Sequence, residues 1–148
     1  MPSYLFKYLS TGEAHDRMLN DLFRSLTEDG IHRNLQHAIS VAVSEAFTNA
    51  VVHGNRKDST KLVILRLEVN DQEITADIVD QGMGGLKQIE SRKPSRQLDE
   101  GGRGVDLIRH YADWCQFKET DDGGLQVTIC FLNEGKHKYD SVIGLRRI

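Results

Sequence analysis

The sequence predicts an α+β fold: a two-layer α/β sandwich with helices packed on one face of a mainly antiparallel sheet. Three observations carry this expectation. Residues 61–69 (KLVILRLEV) and 73–80 (EITADIVD) alternate as strands do and are joined by a turn at Asn70–Asp71. A second pair, 114–120 and 125–132, flanks the turn Asp121–Asp122–Gly123–Gly124, which suits a hairpin. Two stretches with helical apolar spacing, 12–29 and 33–53, precede the first hairpin. The chain has 148 residues, enough for one domain with a real core.

The elements follow in order. Residues 4–9 form a short first strand. In 12–29 the apolar residues Met18, Leu19, Leu22, Phe23 and Leu26 make one helix face, and Gly30 ends the helix. The longer helix 33–53 carries Leu35, Ala38, Ile39, Ala42, Val43, Ala46, Phe47 and Ala50, and Gly54–Asn55 stops it. Residues 85–103 hold glycines, charges and a proline with no durable period, which predicts a loop or a mobile lid. Val105–Tyr111 reads as a short helix before the second hairpin. The domain thus spans 1–132. Residues 133–148, with Lys136, Lys138, Arg146 and Arg147, form a basic tail.

Composition narrows the function classes. Hydrophobic residues at 39% and charged residues at 28% are ordinary for a soluble globular chain. A net charge of −3 gives no global attraction to nucleic acid. No apolar run approaches the roughly 20 residues of a membrane span. The start, MPSYLFKYLS, lacks the pattern of a signal peptide, so a cytoplasmic protein is expected. Cys115 and Cys130 have no Cys or His at metal-ligand spacing. If Thr120 pairs with Leu125, the two cysteines fall opposite each other on adjacent strands. Two reduced core thiols are expected there; a redox pair is the alternative. The six histidines show no metal-binding pattern.

Three segments carry the chemistry. SEAFTNAVVHGN (44–55) spaces Glu45, Asn49 and His53 by four. Each step of four advances about 400° round an α-helix, so the three side chains share one face, each roughly 6 Å above the last. A carboxylate at Glu45 can orient or deprotonate an attacking hydroxyl. The amide oxygen of Asn49 is a hard neutral ligand for Mg²⁺, which fills its other positions with water and phosphate oxygens. A solvated polar stripe fits the same spacing, and His53 also fits a local hydrogen bond at the helix end.

DQGMGG (80–85) sets Asp80 at the end of an apolar strand. A carboxylate there can accept the exocyclic amino hydrogen of adenine and would repel the guanine carbonyl. Gly82 and Gly84 let the backbone approach a flat base and adopt positive φ. Met83 suits the wall beside the base. A glycine turn with a capping Asp is the alternative. EGGRGVDLI (100–108) is a glycine cluster opening into a helix, where backbone N–H groups attract phosphate. Arg103 adds charge. Lys87, Arg92, Lys93 and Arg96 make the preceding lid basic, as a solvated loop would also be.

In order and spacing these segments resemble the GHKL ATPase superfamily of gyrase, chaperone, histidine-kinase and mismatch-repair ATPases. That family has an N box (E-x-x-x-N), a first glycine box (D-x-G-x-G) and a second ending in G-x-G. SEAFTNAVVHG, EGGRGVDLI and the element order over residues 4–132 resemble most the small anti-sigma factor serine-protein kinases. The resemblance implies a Bergerat-type ATP-binding fold, with Glu45 as catalytic base and Asn49 as Mg²⁺ ligand. It implies Asp80 as the adenine-reading acid, with Gly82 and Gly84 beside the base and Gly102 and Gly104 as hinge and phosphate glycines. It further implies ATP with Mg²⁺, a homodimer, a sequestered sigma factor and a serine phosphorylated on an anti-anti-sigma partner. The sequence departs from the family pattern at Leu125–Gln126, where members often carry Thr. The alternatives are a nucleotide-binding interaction module without phosphoryl transfer and the catalytic domain of a sensor histidine kinase. The second lacks room for a substrate helix pair.

Overall fold

The computed structural model describes residues 3–90 and 100–133. A strand at Ser3–Leu9 (β1) leads into helices Gly12–Glu28 (α1) and Arg33–Asn49 (α2). Strands Leu62–Val69 (β2) and Glu73–Val79 (β3) come next, then helices Gly85–Glu90 (α3) and Glu100–Tyr111 (α4). Strands Trp114–Glu119 (β4) and Leu125–Leu132 (β5) close the order. The strands form one sheet in the order β1-β2-β3-β5-β4, and every neighbouring pair is antiparallel. This is the two-layer sandwich the sequence predicts.

Period-two alternation decides which face is buried. Val63, Leu65 and Leu67 of β2, Ile74, Ala76 and Ile78 of β3, and Val127, Ile129 and Phe131 of β5 all point into the core. Met18, Leu22 and Leu26 of α1 and Ile39, Val43 and Phe47 of α2 cover them. Burying a side chain of this size contributes about 1.5–3 kcal/mol. Tyr8 ties the layers together: its ring meets Phe47 edge-on at 5.6 Å, and its hydroxyl donates to Asp21 Oδ2 at 2.5 Å. Gly30, at φ +72°, turns α1 off in the left-handed region that a glycine adopts without strain. Asn70 Oδ1 accepts from the N–H groups of Gln72 and Glu73, both at 2.8 Å, and so builds the β2–β3 turn.

Four expectations need correction. The stretch 85–103 is not all loop: Gly85–Glu90 is helical, and the last helix starts at Glu100 rather than Val105. Leu86 and Ile89, three apart, pack against the core, but six residues are too few to display a period. Gly101 and Gly102 of the second motif lie in the first turn of α4, and Gly104 directly after it, instead of in a preceding loop. The helix 33–53 is α-helical only to Asn49; Ala50–Gly54 form a wider π turn, closed by Asn55 N–H donating to Ala50 O at 2.7 Å. Finally, Glu119, not Thr120, pairs with Leu125, so Cys130 faces Trp114 and Cys115 faces Ile129. That one-residue slip puts the cysteines on opposite faces of the sheet and rules out a redox pair. Residues 91–99 of the expected lid and the basic tail from 134 onward lie outside the described residues.

Candidate functional site

α2 and α4 pack side by side, with Gly104 of α4 set against Glu45 and Asn49 of α2. A Cβ on Gly104 would stand 3.0 Å from Glu45 Oε2 and 3.4 Å from Asn49 Nδ2. The tips of Glu45 and Asn49 therefore meet over one glycine, as their four-residue spacing predicts. Together with Thr48, Val52, His53, Gly104 and Leu107 they line a hollow of about 370 Å³. The first four N–H groups of a helix have no acceptor within it. In α4 these belong to residues 100–103. The surroundings of the Gly102 and Arg103 side-chain positions lie outside what the structure describes.

Asp80 follows β3 and is 4% exposed. Its Oδ1 accepts two backbone N–H groups, from Gly82 and Leu125, each at 3.0 Å. Its own N–H donates to Leu125 O at 3.0 Å. Burial raises the carboxyl pKa above its ordinary value, against the opposing pull of the two N–H donors. Oδ2 packs against Gly54, where any Cβ would overlap it. Asn49, His53, Gly54, Asp80, Gly85, Ile89 and Leu125 enclose a narrow slot beside this carboxylate, with about 20 Å³ free.

Several glycines work by letting segments touch. A Cβ on Gly82 would run into the Gly54 carbonyl, and one on Gly124 would lie 2.4 Å from Asp80 O. Gly84, at φ +75°, bends the chain into α3; Gly85, not Gly84, lines the slot. Met83 is 78% exposed and lies over Gly123 rather than along the slot wall. Sequence reasoning misses Gly54, Gly124 and Leu125 as parts of the site. Gly54 shows there only as a helix stop and Leu125 only as a departure from a family pattern. In the structure the Leu125 backbone holds Asp80 at both its N–H and its carboxylate.

Among the described residues no cluster of three or more His, Cys, Asp or Glu side chains can hold a metal by itself. The Asn49 amide beside Glu45, over a glycine whose missing Cβ leaves the space open, does fit a cation that brings its own water and phosphate ligands.

Such a site, on a helix-covered antiparallel sheet, defines an ATP-binding sandwich of the kind found in histidine kinases. Residues 12–131 match the histidine kinase-like ATPase domain, and the chain belongs to that family. Within it the chain falls in the GHKL anti-sigma kinase branch. It is 31% identical over 95 residues to an anti-sigma F factor of Clostridium perfringens, a match covering 62% of this chain and 68% of the relative. An anti-sigma F factor of Shouchella clausii is 28% identical over 110 residues, covering 72% and 74%. The fold is similar to a crystal structure of the RsbU and RsbW domains of Rv1364c from Mycobacterium tuberculosis, with TM-score 0.67 and 20% identity over 89% of this chain. It is also similar to a blue-light activated histidine kinase of Erythrobacter litoralis, with TM-score 0.53 and 22% identity over 72% of this chain. The match spans 33% of each of those two longer chains.

Proposed function

We propose that this chain is an ATP-binding anti-sigma regulatory factor with serine-protein kinase activity toward an anti-anti-sigma partner. The observation that carries the reading is the pairing of Glu45 and Asn49 over Gly104 at one end of a cleft whose other end holds buried Asp80. Asp80 reads the adenine amino group. Asn49 would hold Mg²⁺, which when bound would supply positive charge to offset that of the phosphates. Gly102 and Arg103 attend the phosphates from the first turn of α4 and Gly104 from just after it, with Gly82 and Gly84 shaping the turn below the base. Glu45 orients a partner's serine hydroxyl. The serine oxygen bonds to the γ-phosphorus, the bond to the ADP oxygen breaks, and the hydroxyl proton passes to Glu45.

The named relatives, anti-sigma F factors, support a sigma factor as the second partner. No helix among the described residues is long and apolar enough to cross a membrane. We place the protein in the cytoplasm, as a homodimer. Leu5 and Leu9 on edge strand β1 are exposed at 56% and 48%, on the sheet face the helices leave open, and suit a second copy of the chain.

The second reading, a binding module without phosphoryl transfer, keeps Asp80 and Asn49 in their roles and leaves Glu45 structural. The test is γ-labelled ATP with a partner carrying a phosphorylatable serine. Label on the serine, lost in Glu45→Ala while ATP affinity stays within a few-fold, supports the kinase. No label from the wild type, with a sigma-like partner still held in an ATP-dependent way, selects the module.

A further inference from the structure

Asn55 directly follows the π turn and is 1% exposed. Its side chain makes three hydrogen bonds to three other segments. Nδ2 donates to Ser10 Oγ at 2.8 Å, just after β1, and to Leu62 O at 3.0 Å, at the start of β2. Oδ1 accepts the Gln81 N–H at 2.7 Å, the residue directly after Asp80. Its own backbone N–H closes the π turn on Ala50. A buried amide with its donors and acceptor used in this way fixes what it touches, because any of these groups left unpaired away from water would be strongly unfavourable.

We infer that Asn55 is a positioning residue for the adenine-reading carboxylate, acting through the peptide that joins Asp80 to Gln81. The inference rests on the proposed nucleotide reading and adds to it. Asp80 is held on one side by Leu125, through its N–H and Oδ1. On the other side the chain leaves β3 and makes no ladder bond. Asn55 supplies the missing hold by capturing the next N–H. The same residue carries the π turn, so Gly54 stays packed against Asp80 Oδ2. Two neighbours brace the cluster without touching that N–H. Ser10 Oγ donates to Lys61 O at 2.8 Å, and Gln81 Oε1 accepts the Leu62 N–H at 2.7 Å. They separate a general loosening from a specific one.

The experiment compares wild type, Asn55→Ala, Ser10→Ala and Gln81→Ala by titration with Mg·ATP and Mg·GTP, beside thermal unfolding. Wild-type preference for ATP is measured first; equal affinity for both nucleotides overturns the adenine reading and this inference with it. Given that preference, Asn55→Ala is expected to weaken ATP at least tenfold and GTP little, so the preference collapses. Ser10→Ala and Gln81→Ala are expected to lower the unfolding midpoint yet keep the preference. A folded Asn55→Ala protein with wild-type preference overturns the inference and leaves the adenine reading intact. So does an equal collapse in Ser10→Ala. If Asn55→Ala does not fold, hydrogen exchange of the Gln81 amide in wild type decides. Protection equal to that of β3 amides supports the inference; exchange as fast as in exposed turns overturns it.

Discussion

In the proposed nucleotide site, binding and stability would pull in opposite directions at Asp80. Its raised pKa means that the folded state favours the neutral acid more than the unfolded chain does. Ionised Asp80 therefore opposes folding at neutral pH, and protonation relieves that cost. Asp80→Asn keeps an oxygen for the Gly82 and Leu125 N–H groups and carries no charge. It should unfold at no lower temperature than wild type at pH 7, and any gain should shrink as the pH falls towards the ordinary carboxylate range. The same substitution should weaken ATP binding by about 1.5–3 kcal/mol, the worth of a hydrogen bond to a charged group. Calorimetry and thermal scans at several pH values test both halves. Asn49→Ala should fold normally and lose the magnesium dependence of nucleotide affinity; an unchanged magnesium dependence would reject the assignment. Glu45, Asn49 and Asp80 were legible as residues because local patterns carry them: four-residue helical spacing, and an acid ending an apolar strand. Gly54, Asn55 and Gly124 were not. Their roles depend on segments that approach from far along the chain, and no local pattern encodes that approach.

The strands and the two long helices were legible because each repeats its period several times. Three features were not. α3 is too short to show a period. The π turn changes the bond from i→i−4 to i→i−5 over a few residues and leaves no composition mark. The last hairpin slips by one residue because the Thr120 hydroxyl accepts the Gly124 N–H at 2.9 Å, so Thr120 joins the turn. α3 also carries a prediction. The slot beside Asp80 leaves about 20 Å³, room for about one water and not for adenine. Gly54, Asp80 and Leu125 are tied to the core, whereas Gly85 and Ile89 belong to this six-residue helix. Nucleotide entry should therefore displace α3. Amide exchange at residues 86–90 should change on adding ATP while that of β2 stays constant. Equal exchange with and without ATP would contradict the displacement. Gly54→Ala drives a Cβ into the Asp80 carboxylate, so it should abolish ATP binding and cost roughly 1–3 kcal/mol of stability. Retained binding would show that the close approach is dispensable.

Among the described residues, one sheet face serves as core and no helix covers the other, with the candidate site at the end where α2, α4 and the loop after β3 converge. Sedimentation should give a particle of twice the 16.7 kDa chain mass, and Leu9→Glu should shift it towards the monomer. A wild-type monomer at micromolar concentration would remove the dimer from the account. The proposed function depends on the cleft from Asp80 to Glu45 holding an adenine nucleotide. Calorimetric titration of the wild-type chain with Mg·ATP and then Mg·GTP tests this most directly. Saturable binding of ATP, with GTP at least tenfold weaker, is the predicted result. Equal affinity for both, or no heat from either, would contradict it.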